Sequence, residues 1–265
     1  MEVKIVFDEK LNKSIAYYND IKVGECNLIK ENDVWNIIHT EVNELYRGLG
    51  IAHKLVDIVI ENARKNNKKL IATCSYAKKI ININDKQILR KEYLSIRKNI
   101  KHKREKSHLI FEKIIKDEDY INSKVIALYK NLESEVSTDE LIDYSLDNKK
   151  VVLLPKACEN GLDFYKITKD EKLFKSDFGV KEPLENSNNK LDKNKIDLII
   201  IPGICFDVSK NRLGFGKGYY DKYLENTNIK SIAFAFEEQI IKNKVLPISK
   251  YDVKVNKIIT EENMY

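Results

Sequence analysis

Apolar and polar residues alternate in Lys4-Ile5-Val6-Phe7, Ser14–Tyr18, Ile21–Ile29 and Val34–Val42, with polar turns between them. That period predicts short antiparallel strands. The period then changes. Ile51, Leu55, Val56, Val59, Ile60 and Ala63 fall on one helical face, and Lys69–Thr73 reads as the next strand. Ile81–Asn84 interrupts the pattern, and Asp85 is suited to cap a following helix whose apolar positions are Ile88, Leu89, Leu94, Ile96 and Ile100. A second helix is expected after Ser107. Buried strands are expected over Ser123–Tyr129, Val151–Lys156, Ile196–Ile201 and Ser231–Phe236. Ser137 and Glu140 fit a capping box, residues 185–195 read as a surface loop, and Tyr219–Leu224 as a helix. The pattern predicts two domains: a small α+β domain over 1–82, and over 83–265 a three-layer α/β domain in which strands and helices alternate.

Hydrophobic content of 43% in 265 residues is enough for sizeable cores. No apolar run approaches the ~20 residues that span a bilayer, and Met1–Ile5 lacks a signal-peptide core. Cys26, Cys74, Cys158 and Cys205 are widely spaced and form no Cys-x-x-Cys pair, which indicates neither a zinc site nor a disulfide framework. A cytoplasmic protein with reduced thiols is expected. The net charge of +6 is local, since residues 86–106 hold nine Lys/Arg against Glu92 and Glu105. No stacking aromatics accompany that run, so nucleic acid is not the expected partner; a solvated helix face or a small anion fits it better.

The densest chemistry lies in Arg212-Leu213-Gly214-Phe215-Gly216-Lys217-Gly218-Tyr219-Tyr220-Asp221. Alternate glycines let the backbone adopt conformations closed to other residues and approach a ligand. Their N–H groups can cradle an anion, with Arg212 and Lys217 supplying charge. The order strand, glycine loop, helix suits phosphate, and Asp221 is placed to hold a divalent ion against it. A plain glycine-rich turn is the alternative for the spacing alone. The run is neither a Walker A loop nor the usual dinucleotide fingerprint.

With its flanks, Ile201-Pro202-Gly203, Phe206-Asp207 and the loop itself, this stretch resembles the signature of the 5-formyltetrahydrofolate cyclo-ligase (methenyltetrahydrofolate synthetase) family. The likeness extends over about residues 85–262: Lys86-Gln87-Ile88-Leu89-Arg90, Arg97, the Glu-x-x-Thr at Glu135, Phe178-Gly179-Val180-Lys181-Glu182-Pro183, Gln239 and Asp252. Tyr251 stands where many members have His, and Cys205 where a small residue is usual. The resemblance implies a Rossmann-like fold and ATP-dependent closure of 5-formyltetrahydrofolate to 5,10-methenyltetrahydrofolate. It implies ATP binding by Lys86, Arg90, Arg212, Gly214, Gly216, Lys217, Gly218, Tyr219 and Tyr220. Arg212 and Lys217 would stabilise the phosphoryl transfer. The folate would meet Glu135, Phe215 and Tyr219, and Mg2+ would meet Asp221 and Asp252. The partners implied are small molecules, with no membrane.

Residues 1–80 resemble the small GCN5-related N-acetyltransferase (GNAT) family through His39-Thr40-x-Val42, Arg47-Gly48-x-Gly50-Ile51-Ala52, Ala63-Arg64 and Cys74-Ser75-Tyr76-Ala77. That implies acetyl-CoA at Arg47, Gly48, Gly50, Ile51 and Ala52, with Cys74 reactive and His39 in support. A small buried cysteine and a structural histidine are the simpler alternative for that pair. Two further readings of the whole chain stay open: an acetyltransferase with a degenerate second half, and a non-catalytic folate- or nucleotide-binding regulator.

Overall fold

In a computed structural model the described residues are 2–159, 161–176, 179–186 and 188–265. They form two compact units, Met1–Gln87 and Ile88–Tyr265.

The first unit is a five-stranded sheet in sequence order, β1 (Lys4–Asp8), β2 (Lys13–Tyr18), β3 (Ile21–Glu31), β4 (Val34–Val42) and β5 (Lys69–Ala72). The first four strands pair antiparallel and β5 joins β4 in parallel. A parallel neighbour needs a crossover, and α1 (Ile51–Lys65) supplies it. The predicted stripe of α1 is buried against Ala16, Val23, Cys26, Leu28, Trp35 and Ile37. Gly24 is fixed by that packing, because a Cβ there would lie 2.8 Å from the Glu41 carbonyl oxygen.

One expectation fails at 81–85. The helix α2 runs unbroken over Ser75–Asn99, so Asp85 is not a cap; it sits mid-helix, 3.6 Å from Arg64. Asn and β-branched Ile are weak helix formers, and packing overrides them. Ala77 and Ile80 are buried in the first core and Leu89 in a cluster of the second unit.

The second unit continues with α3 (Lys103–Ile114), α4 (Glu118–Asn122), β6 (Val125–Ala127), α5 (Asp139–Asp147), β7 (Val151–Cys158), β8 (Gly161–Lys166), β9 (Phe174–Lys175), β10 (Lys181–Glu182), β11 (Leu198–Ile201), β12 (Cys205–Asp207), β13 (Arg212–Leu213), α6 (Tyr219–Leu224), β14 (Lys230–Phe234), β15 (Ile240–Ile241) and β16 (Lys257–Ile259). α3 starts before Ser107, whose side chain is buried and accepts from the Ser137 amide at 3.1 Å. β6 is shorter than the apolar run around it. The cap of α5 is Thr138 rather than Ser137, and the Thr138 hydroxyl donates inward to the Tyr129 carbonyl at 2.6 Å instead of making a capping bond to the helix.

The main sheet has the order β16-β14-β11-β6-β7-β8, parallel except for β8. Successive residues face opposite sides of a sheet, and both sides are apolar here. Ile126, Val152, Leu198, Ile200 and Ile232 meet Ile110, Ile114, Leu141 and Ile142 of α3 and α5. Ala127, Leu153, Ile199, Ile201 and Ala233 meet Leu224 of α6 and Val255. That is the predicted three-layer arrangement. From β6 the chain moves to β7 on one side and later to β11 on the other. The strand order therefore reverses between β6 and β11, and in open α/β sheets the crevice at the carboxyl ends of such strands is the usual ligand site. The small sheet β13-β12-β15 lies beyond the end of β11.

Candidate active site

Two connections leave the carboxyl ends of β6 and β11, and the predicted residues of the second unit converge on them. The hairpin of β12 and β13 carries the glycine loop. Its turn is held by Asp207, fully buried, which accepts from the amides of Asn211 and Leu246 and from the Asn211 side chain. Gly216 and Gly218 have φ of +103° and +68°, values that strain any other residue type. A Cβ on Gly216 would lie 3.4 Å from the Arg90 guanidinium. Arg90, on α2, donates from Nε to the Gly214 carbonyl at 2.9 Å. Burial pushes the Arg90 pKa down, and the nearby Asp252 carboxylate opposes that.

Arg212 enters the same space. Its side chain is 5% exposed and pairs with Asp221 at 3.0 Å, and Nη1 reaches the Pro202 carbonyl at 3.4 Å. The Tyr220 ring lies 5.5 Å from this guanidinium; burial, then the Glu135 charge, raises the Tyr220 hydroxyl pKa well above the ordinary tyrosine value. Asp221 also accepts from the Val253 amide at 3.2 Å, which brings it beside Asp252, whose own carboxylate accepts from Ser249. Lys217 is exposed, and Tyr219 half-buried, on the rim. Lys86 lies one turn before Arg90 on α2, among residues that group with the first unit. α6 is only six residues long, so its dipole is small, and an anion here would have to be held by the glycine backbone and the cations.

Glu135 lies in the connection after β6 and is buried. One oxygen accepts from the Leu132 amide at 2.9 Å and the other from Arg97 Nη1 at 3.2 Å. Arg97 also donates to the Gly203 carbonyl at 3.2 Å, which Gln239 shares. Phe215 is exposed and its ring lies 5.3 Å from the Arg97 guanidinium. Gly203 has no room for a side chain, since a Cβ would fall 2.4 Å from the Phe206 ring. Sequence reading named Arg97 through the family likeness and missed its buried pairing with Glu135. Its signal is position: Arg97 is buried near the end of α2, where an arginine is out of place unless paired. The Phe178 landmark lies outside the described residues.

In the first unit, Arg47-Gly48-Leu49-Gly50 forms the turn between β4 and α1. Gly48 and Gly50 have φ of +82° and +73°, and Gly50 caps α1 without a side-chain bond. The first amides of this 15-residue helix, from Ile51 and Ala52 onward, therefore have no capping side chain. Arg47 pairs with Glu44 at 3.0 Å. Cys74 is half-buried at the end of β5, its sulfur 3.8 Å from the Thr40 hydroxyl. His39 is not beside it. A bulge in β4 opposite Asn27 and Leu28 turns Ile38 and His39 outward, and His39 meets Glu41 at 3.6 Å on the exposed face.

The family model described as 5-formyltetrahydrofolate cyclo-ligase matches residues 82–261. The chain belongs to this family. It is similar to the 5-formyltetrahydrofolate cyclo-ligase of Mus musculus, 32% identical over 170 residues, 59% of this chain and 83% of the mouse protein. It is 31% identical over 189 residues to that of Haemophilus influenzae, 68% of this chain and 99% of the relative. Among solved structures it resembles Aquifex aeolicus 5,10-methenyltetrahydrofolate synthetase, with a TM-score of 0.60 at 30% identity, covering 68% of this chain and 91% of that one. The Mycoplasma pneumoniae synthetase gives a TM-score of 0.54 at 27% identity, covering 67% and 99%. A model described as GCN5-related N-acetyl-transferase matches residues 14–89. The chain thus joins a cyclo-ligase, a ligase enzyme, to a GNAT-like unit. No helix of the described residues is long and apolar enough to cross a membrane.

Proposed function

We propose that the second unit uses ATP to convert 5-formyltetrahydrofolate to 5,10-methenyltetrahydrofolate, and that the first unit binds acetyl-CoA. The observation that carries the first part is convergence. Arg90, Arg212 and a positive-φ glycine loop meet at the crevice of the main sheet, with a buried carboxylate, Glu135, at the neighbouring strand end.

The chemistry explains the donor set. A formyl oxygen leaves poorly. In the proposed reaction it attacks the γ-phosphorus of ATP and ADP departs. N10 then adds to the activated carbon and loses its proton, and the oxygen leaves with inorganic phosphate. Such transfer calls for positioning and charge stabilisation more than for covalent help. The glycine amides and Arg90 would hold the phosphates. Arg212 and Lys217 would offset charge on the transferring group. Glu135 would accept the paired N–H donors of the pterin, and Phe215 and Tyr219 would flank it.

A magnesium ion fits the acidic pair. Among the described residues each oxygen of Asp221 makes one bond, so each retains acceptor capacity, and Asp252 is close by. Asp221 and Asp252 would hold Mg2+, which neutralises phosphate charge when bound.

The test mixes 5-formyltetrahydrofolate, ATP and Mg2+ with the full chain and follows absorbance of the methenyl product. The expected result is ATP-dependent product that collapses in Lys217→Ala. A folded wild-type protein that makes none overturns the reading. For the first unit, the uncapped amides after Gly50 support pyrophosphate binding. Calorimetric titration with acetyl-CoA tests it, and binding should weaken in Arg47→Ala.

A further inference from the structure

The Arg97 side chain is 1% exposed. Its Nη1 is shared between Glu135 and the Gly203 carbonyl, and its Nε is buried with no hydrogen-bond partner among the described residues. This is a costly arrangement. An unmet buried donor is unfavourable, and a buried ion pair is often matched or bettered by apolar residues of similar size. Stability alone is therefore a poor account of Arg97. What the arrangement does is join the two strand ends that form the crevice: Glu135 follows β6 and Gly203 follows β11.

The groups facing Glu135 are few. Arg97 comes from α2 and the Leu132 amide from its own loop. Tyr129, beyond β6, donates its hydroxyl to the Val136 carbonyl. Tyr220 of α6 is near enough for the Glu135 charge to act on its hydroxyl, and its ring lies 5.5 Å from the Arg212 guanidinium. Burial pushes the Glu135 pKa up, and the Arg97 charge and the Leu132 amide oppose it. Among the described residues Arg97 is the cation in direct contact.

Charge state matters for the chemistry assigned to this carboxyl. An ionised carboxylate is purely an acceptor and can take two adjacent N–H donors at once. A protonated one turns a donor toward a donor. We propose that Arg97 is a positioning residue for folate, which fixes the Glu135 carboxylate against the β11 end and keeps it ionised without touching the reacting atoms. The proposal rests on the reading of Glu135 as the acceptor of the pterin.

The test measures KM for 5-formyltetrahydrofolate and for ATP from about pH 6 to pH 8 in wild type, Arg97→Gln, Arg97→Lys and Glu135→Gln. In Arg97→Gln the folate KM should rise about tenfold per pH unit on the acid side, since only the anion binds, while the ATP KM follows no such profile. Arg97→Lys keeps the charge and loses the fork, so its folate KM should be raised evenly across pH. A folate KM in Arg97→Gln raised by one factor at every pH overturns the proposal, because that is the mark of structural support alone. A second readout needs no turnover. In carbon-13 glutamate-labelled, unliganded protein, the carboxyl signal missing from Glu135→Gln should titrate at higher pH in Arg97→Gln than in wild type, and Arg97→Lys should restore it. An unmoved midpoint overturns the proposal even if the wild type is active. A wild type that makes no methenyl product sinks the cyclo-ligase reading instead, and leaves the midpoint to judge the pairing. If Arg97→Gln does not fold, Arg97→Lys decides: a pH-dependent folate KM in that variant counts against the proposal.

Discussion

The Arg212 guanidinium lies 3.0 Å from the Asp221 carboxylate, one residue entering the glycine loop and the other leaving it. The pair closes the loop on itself. Asp221 also binds the Val253 amide, so the closed loop is tied to the segment that carries Asp252.

Asp221→Ala should therefore act on stability as well as on activity. It leaves Arg212, 5% exposed, with a buried uncompensated charge, a change that typically costs about 3–5 kcal/mol. Asp221→Asn keeps a partner for the Val253 amide but also leaves the Arg212 charge uncompensated, so it should lose most of the same stability along with turnover. An Asp221→Asn protein as stable as wild type would show that the Val253 bond, and not the ion pair, closes the loop.

Gly216 and Gly218 separate strain from contact. Both have positive φ, but a Cβ meets the Arg90 guanidinium only at Gly216 and open space at Gly218. Alanine at either site should cost roughly 1–2 kcal/mol of backbone strain. Gly216→Ala should in addition raise the KM for ATP, because its methyl would pack against the Arg90 guanidinium, 3.4 Å away, and take up space beside it. If Gly218→Ala raises that KM as much, the contact with Arg90 is not what the glycine protects.

The apolar periodicities made much of this fold legible. The stripe from Ile51 to Ala63 and the run Leu198–Ile201 became α1 and β11, because each repeats at the period of the element it forms. Asn82, Asn84 and Asp85 read as punctuation and are helical; local propensity was outweighed by the burial of Ala77, Ile80 and Leu89. The site divides the same way. Glycines and cations within one loop announce an anion site locally. The pairing of Arg97 with Glu135 joins residues 38 apart, and no short-range pattern encodes it. The outward turn of His39 depends on a bulge register, which alternation along one strand does not specify.

Glu237 ties residues 260–265 to the end of the main sheet, and that tie should depend on pH. Glu237 is buried and receives bonds from Lys242, the Thr260 hydroxyl, Asn263 and the Tyr265 hydroxyl. Burial raises its pKa, and the Lys242, Thr260, Tyr265 and Asn263 bonds outweigh that and hold it down at about 2. A depressed pKa means stability that is present above the unfolded value of 4.5 and lost as pH falls toward about 2. Glu237→Gln should therefore unfold at lower urea than wild type at neutral pH, with the gap closing below the ordinary carboxylate range. A gap that persists in acid would assign the effect to packing.

The four thiols should sort by accessibility. Burial pushes the pKa of Cys26 up to about 11 and that of Cys205 to about 12, and both side chains are fully buried. Only thiolate is nucleophilic, so at mildly alkaline pH both should resist iodoacetamide in the native protein. Cys158 is exposed and Cys74 half-buried, so these should be alkylated first. Cys74 then becomes informative. It stands beside Thr40 at the end of β5, in the unit carrying the Arg47–Ala52 turn. Acetyl-CoA present during labelling should slow its reaction if the coenzyme's acyl end approaches it, and leave Cys158 unaffected. Peptide mass mapping after timed labelling reads both rates. Equal rates for Cys74 with and without acetyl-CoA would separate the coenzyme from this thiol and leave the turn before α1 as a binding feature alone.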